Sequence, residues 1–217
     1  MKQAYFTHTS ITQQTKLFLH EVAALRRMHP WKLKPDKTAL LVIDMQDYFI
    51  KENSHAYIPS TNAIIPQILK LQNYFLQHSY KILHTRHANT KINAKQMANW
   101  WHNEILTLDN PQSAITAAIA HPNIKQIVKP QYDAFLYTDL EEDLTQAKIE
   151  QVIITGIMTN LCCETTARSA FSRGFEVFFC VDATATYNQD FHLASIRNLA
   201  YGFAHPVTVE ELLCQLK

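Results

Sequence analysis

Val152-Ile153-Ile154-Thr155-Gly156-Ile157-Met158-Thr159-Asn160-Leu161-Cys162-Cys163-Glu164, VIITGIMTNLCCE, carries an apolar run into a glycine, a polar turn, two adjacent cysteines and a helical pattern. The chain holds only three glycines in 217 residues, so Gly156 at this junction is informative. Gln151 to Thr155 reads as a strand buried on both faces, because it is continuously apolar rather than alternating. The helix after it spans about Leu161 to Arg173 and closes on Gly174, a residue suited to a left-handed cap. The two cysteines can be packing, metal ligands, a redox pair, or a nucleophile with its neighbour.

The same strand-then-helix grammar recurs outward from this stretch. Ala39 to Asp44 is an apolar run ending in an acid, and Ala63 to Phe75 follows at helical spacing. Lys81 to Thr85, Ile127 to Pro130 and Glu176 to Val181 (EVFFCV) are further strand-like runs. Leu140 to Ala147 is a short acidic helix, Phe191 to Tyr201 a helix capped by Gly202, and Pro206 to Val209 a last short run before a terminal helix. Strands alternating with helices specify parallel βαβ units. The expectation is a doubly wound α/β domain: a parallel sheet of about six strands flanked by helices in three layers. Residues 36–217 form that domain, and 1–35 form an N-terminal arm with a helix over Lys16 to Arg27.

Composition narrows the function classes. A chain that is 47% hydrophobic and 18% charged has the makings of a packed core. Its net charge of +1 leaves no electrostatic footprint for nucleic acid or an anionic membrane. No apolar run approaches the ~18 residues of a bilayer span, and the N-terminus lacks a signal-type apolar core. The four cysteines, two of them adjacent, do not form a disulfide framework. The expected setting is therefore soluble and reducing, the cytoplasm. No CxxC, no HExxH and no Asp-x-His followed closely by another His appears among the eleven histidines and four cysteines, so neither a metal nor a cofactor is expected.

Three runs end on chemically useful side chains: Asp44, Lys129 and, just past the VIITG run, Cys162. In a parallel sheet all three share the carboxyl edge, where doubly wound folds bind their ligands. With Thr159 or Asn160 as N-cap, Cys162 falls in the first helical turn, where free N–H groups and the helix dipole favour a thiolate. A nearby Lys129 would lower the thiol pKa further, and Asp44 could shuttle a proton. The N–H groups of the turn make an oxyanion hole for a substrate carbonyl. Arg86 and His87 follow a strand end, while Tyr48, Phe49, Trp101, Tyr132 and Phe135 are aromatics near these ends; each is either a substrate contact or packing. Cys163 and Cys180 read as buried packing.

LLVIDMQDYF (40–49), KPQYDAFLYTDLEEDL (129–144), ITGIMTNLCCETTARSAF (154–171) and DATATYNQDFHLASIRNLA (182–200) together resemble the isochorismatase-like cysteine hydrolase superfamily, over roughly Leu40 to Leu213. The resemblance implies an Asp-Lys-Cys triad on Asp44, Lys129 and Cys162. It also implies a cis peptide between Ile157 and Met158 that turns the Met158 and Cys162 N–H groups toward a substrate oxygen, with Thr159 and Asn160 completing the turn. The expected reaction is hydrolysis of a small amide, carbamoyl or ureido C–N bond through a cysteine thioester, in a homo-oligomer (dimer or tetramer). The metal-site spacing of nicotinamidases is absent from HTRHANTKINAKQMANWWHN. Trp31-Lys32-Leu33 and DMQDYF resemble siderophore-pathway isochorismatases, which generally replace the nucleophile by glycine. Vinyl-ether hydrolysis without Cys162, and a thiol redox or sensing role for Cys162 and Cys163, are the alternatives.

Overall fold

A computed structural model describes residues 1–216. Six strands, β1 (Thr38–Ile43), β2 (Lys81–His87), β3 (Lys125–Lys129), β4 (Gln151–Ile157), β5 (Glu176–Ala185) and β6 (His205–Val207), form one sheet in the order β3-β2-β1-β4-β5-β6, and every pairing is parallel. This is the doubly wound arrangement, with the chain reversing direction across the sheet between β1 and β4. The helices are α1 (Ile11–Glu21), α2 (Ala23–Met28), α3 (Asp47–Ile50), α4 (Thr61–Gln77), α5 (Gln96–Trp100), α6 (Leu140–Gln146), α7 (Glu164–Ser172), α8 (Gln189–Gly202) and α9 (Val209–Leu216). None is long and apolar enough to cross a membrane.

Alternation along the strands divides the interior into two cores. Leu40 and Val42 of β1, with Ile153 and Phe178, pack under α1, α4 and α9; Ala39, Leu41 and Ile43, with Val152, Ile154 and Phe179, pack under α6 and α7. All six residues of β1 and all seven of β4 are buried, as the continuous apolar runs require. The arm is part of the first core: Phe6, Ile11, Phe18, Leu19, Val22 and Leu33 are buried there.

The helix expected over Lys16 to Arg27 is two helices divided at Val22, because Val22 turns inward to 1% exposure and leaves the helical path. The strand expected over Glu176 to Val181 runs four residues further, its later residues pairing with the end of β4. Gly202 closes α8 as its last helical residue, and Phe203 is the cap. After β4 the departure is larger: Thr159–Cys163 form a π-helical turn, and α7 begins only at Glu164. Neither Thr159 nor Asn160 caps a helix; their side chains bond His192 and Thr186 instead.

Gly156 sits opposite Ile43 where β1 and β4 approach at the switch point, with φ +105. A Cβ there would run into the Ile43 backbone, which cannot yield as a side chain would. Gly156→Ala should therefore destabilise by at least about 3 kcal/mol. A thermal melt checks this, and a midpoint within 3 °C of the parent would contradict it.

Candidate active site

Asp44 follows β1 directly and Lys129 ends β3, so strand ends bring these two side chains together across β2. The Lys129 ammonium lies 2.7 Å from Asp44 Oδ2, with the two side chains 0% and 1% exposed. The ammonium also donates to the carbonyls of Gln131 (2.9 Å) and Tyr132 (3.3 Å). Burial by itself would lower the Lys129 pKa, but the Asp44 carboxylate and the Cys162 sulfur outweigh it and push it up. Asp44 has φ +48, a backbone state that aspartate adopts more readily than most residues. Thr85 holds it there: its hydroxyl donates to Asp44 Oδ1 at 2.6 Å and accepts from the Asp44 N–H at 3.1 Å. Oδ1 is thereby occupied, and Oδ2 has no well-directed hydrogen bond beside its ion-pair contact.

Cys162 lies in the π-helical turn after β4, and its sulfur is within hydrogen-bond reach of both Asp44 and Lys129. The Ile157–Met158 peptide is cis. The N–H groups of Leu161 and Cys163 both donate to the Met158 carbonyl at 3.1 Å, which winds the turn tightly. The expectation of a lowered thiol pKa does not survive the geometry. Burial pushes the Cys162 thiol up to about 12; Lys129 opposes that, and Asp44 adds to it. Cys162 sits in a π-helical turn ahead of α7 rather than in the first turn of a regular helix.

A cavity of about 260 Å³ opens above the sulfur. Tyr48, Phe49, His87, Trp101, Tyr132, Met158 and Cys162 line it, and so do Asn89, Leu106 and Tyr187, which sequence reasoning did not single out. The Trp101 indole donates to the Tyr132 hydroxyl at 2.7 Å, and His55 pairs with Glu104 at 2.7 Å across the mouth. His87 is held neutral, its pKa lowered to about 4 by burial and then by the Lys129 charge. Its backbone N–H donates to Gln46 Oε1 at 2.8 Å, while Gln46 Nε2 donates to the His87 and Ser113 carbonyls. Gln46 thus ties the β1 end to the β2 end.

Four expected contacts fall outside the cavity lining. Arg86 points to the opposite sheet face from His87, and its guanidinium bonds Ser113 and the Leu108 carbonyl. Phe135 stacks on Phe175 in the second core. Thr159 and Asn160 are engaged by His192 and Thr186. Cys163 and Cys180 are fully buried. No cluster of three or more metal-binding side chains occurs among the described residues.

Comparison with known proteins fits this architecture. The isochorismatase domain model matches residues 38–211. Nicotinamidase 3 of Arabidopsis thaliana is 37% identical over 179 residues, covering 80% of this chain and 86% of the relative. Enterobactin synthase component B of Escherichia coli (strain K12) is 30% identical, covering 84% of this chain and 65% of that longer protein. The crystal structure of a cysteine hydrolase from Pseudomonas syringae pv. phaseolicola 1448A superposes with a TM-score of 0.83 at 26% identity, over 86% of this chain and 95% of the other. Fold and relatives together define a hydrolase of the doubly wound α/β class. The chain belongs to the isochorismatase family.

The protonated thiol makes a measurable prediction. At pH 8, iodoacetamide should modify Cys162 on the order of a hundredfold more slowly than the exposed Cys214, and the rate should climb with pH toward 12. Peptide mapping by mass spectrometry reads both rates.

Proposed function

We propose that this hydrolase cleaves the C–N bond of a small, uncharged amide, carbamoyl or ureido compound through a Cys162 thioester. The observation that carries the reading is the buried Asp44–Lys129 pair at 2.7 Å with the Cys162 sulfur in reach of both, on the floor of a cavity of substrate size. The thiol is neutral at rest, so Asp44 accepts its proton as sulfur attacks the substrate carbonyl carbon. The N–H groups of Met158 and Cys162 receive the developing oxyanion, where one such donor is typically worth about 3 kcal/mol. Collapse of the tetrahedral species breaks the C–N bond, and the amine leaves with the proton from Asp44. Asp44 then deprotonates a water that attacks the thioester; the acid departs and the thiol regains its proton. Lys129 stays charged throughout and keeps Asp44 ionised between proton transfers. The pair and the sulfur titrate as one unit.

The relatives named nicotinamidase and cysteine hydrolase agree with this chemistry. Vinyl-ether hydrolysis is less well served, because it needs no nucleophile, whereas Cys162 lines the cavity. A redox pair is disfavoured because the Cys163 sulfur turns toward the Thr155 carbonyl, 4.0 Å away, and is sealed from solvent.

A screen of small amides, carbamoyl compounds and ureides for ammonia release tests the reading. Cys162→Ala should lower turnover by about 10⁴-fold or more, as loss of a covalent nucleophile does elsewhere. Turnover surviving in that variant would refute covalent catalysis.

A further inference from the structure

The turn that presents Cys162 is held by residues far outside it. Thr159 opens the turn, and its Oγ1 lies 2.9 Å from His192 Nδ1 on α8. The same ring nitrogen lies 3.2 Å from the Tyr5 hydroxyl, which in turn accepts the Thr186 N–H at 3.0 Å. Thr186 completes the loop by donating from its own hydroxyl to Asn160 Oδ1 at 2.5 Å. Both turn residues that sequence reasoning offered as substrate contacts are therefore engaged from behind.

His192 sits in an aromatic cage of Tyr5, Phe6 and Phe18, with ring centroids 5.2 to 5.3 Å away. Burial there drops its pKa to about 3, so the ring is neutral. Its Nδ1 lies within hydrogen-bond distance of both hydroxyls, while Nε2 is buried without a hydrogen-bond partner among the described residues. Three of the four cage and bridging side chains come from the first eighteen residues of the arm.

The arm also touches the cavity wall directly. The Gln3 N–H donates to the Tyr187 carbonyl at 2.7 Å, and the Lys2 ammonium lies 4.7 Å over the Tyr187 ring while donating to the His55 carbonyl. Tyr187 and His55 both line the cavity. The matched family domain begins only at residue 38, so nothing in that match accounts for these contacts.

We infer that the N-terminal arm is a working part of the active site, in which Tyr5 and His192 are positioning residues that act through Thr159 on the placement of Cys162. This rests on Cys162 being the nucleophile proposed above. The Tyr5 hydroxyl is the informative group, because Tyr5→Phe keeps the ring, the cage and the core contact with Phe6 and removes only the oxygen. Thr159→Val removes the other end of the bridge at nearly constant volume, and Thr159→Ser restores the hydroxyl.

The experiment measures three quantities in the full-length protein for the parent, Tyr5→Phe, Thr159→Val and Thr159→Ser. These are kcat and KM on the best amide of the screen, the rate of Cys162 alkylation at pH 9, and the thermal midpoint. Tyr5→Phe and Thr159→Val should each lower kcat by about five- to tenfold, the scale of one lost hydrogen bond. KM should stay within twofold, the alkylation rate should shift from the parent's, and Thr159→Ser should recover most of kcat. The two losses should not multiply in the double variant, since both break one bridge. Parent-like kcat and alkylation in Tyr5→Phe would overturn the inference, and so would losses that track the thermal midpoint alone. If the parent cleaves no substrate in the screen, the amidase reading fails, and the alkylation rates alone decide this one.

Discussion

Lys129 and Asp44 face each other 2.7 Å apart with both side chains buried, and much of the molecule serves to make that arrangement tolerable. Removing an ammonium and a carboxylate from water costs several kcal/mol per ion, which their mutual attraction repays only with good geometry and further hydrogen bonds. Here those come from the Gln131 and Tyr132 carbonyls on one side and the Thr85 hydroxyl on the other. Each donor or acceptor lies within three residues of the carboxyl end of a strand. The parallel order β3-β2-β1-β4 supplies the constraint, because it places the ends of three strands and the turn after β4 on one edge.

The same burial that makes the ion pair strong makes the thiol weak as an acid. A cysteine beside an ammonium would ordinarily be easier to ionise, yet desolvation and the adjacent carboxylate win, and the thiol stays protonated. The consequence is a division of labour. In the mechanism proposed above, Lys129 preserves the carboxylate, and the carboxylate is the base that activates sulfur at the moment of attack. Thr85 occupies Oδ1, so Oδ2 is the oxygen available for that proton.

Support for the site is layered. Gln46 ties the loop after β1 to the end of β2, Thr85 fixes the Asp44 carboxyl, and the cage of Tyr5, Phe6 and Phe18 seats His192 behind the nucleophile turn. None of these groups lies in a motif that reads as chemistry. Thr85 and Gln46 are ordinary polar residues in or beside apolar strands, and His192 sits on a helix whose pattern reads simply as amphipathic. Their significance is carried by distances of about 3 Å between residues far apart in the chain.

The alternation of apolar runs with helical patterns was enough to specify a doubly wound sheet, because the central runs β1 and β4 are buried on both faces and such strands need helices above and below. Strand-end placement also put Asp44, Lys129 and Cys162 on one edge, since the carboxyl edge is common to every parallel strand. Two things lay beyond local pattern. One is the direction of side chains near the strand ends: Arg86 and Phe135 left the cavity while Leu106 and Tyr187 entered it, because loops and the arm decide which face is covered. The other is the charge state of the thiol, which depends on how much water the fold excludes. Periodicity and motif report what a residue can do in its own segment. Desolvation and long-range hydrogen bonds exist only once distant segments have closed around it.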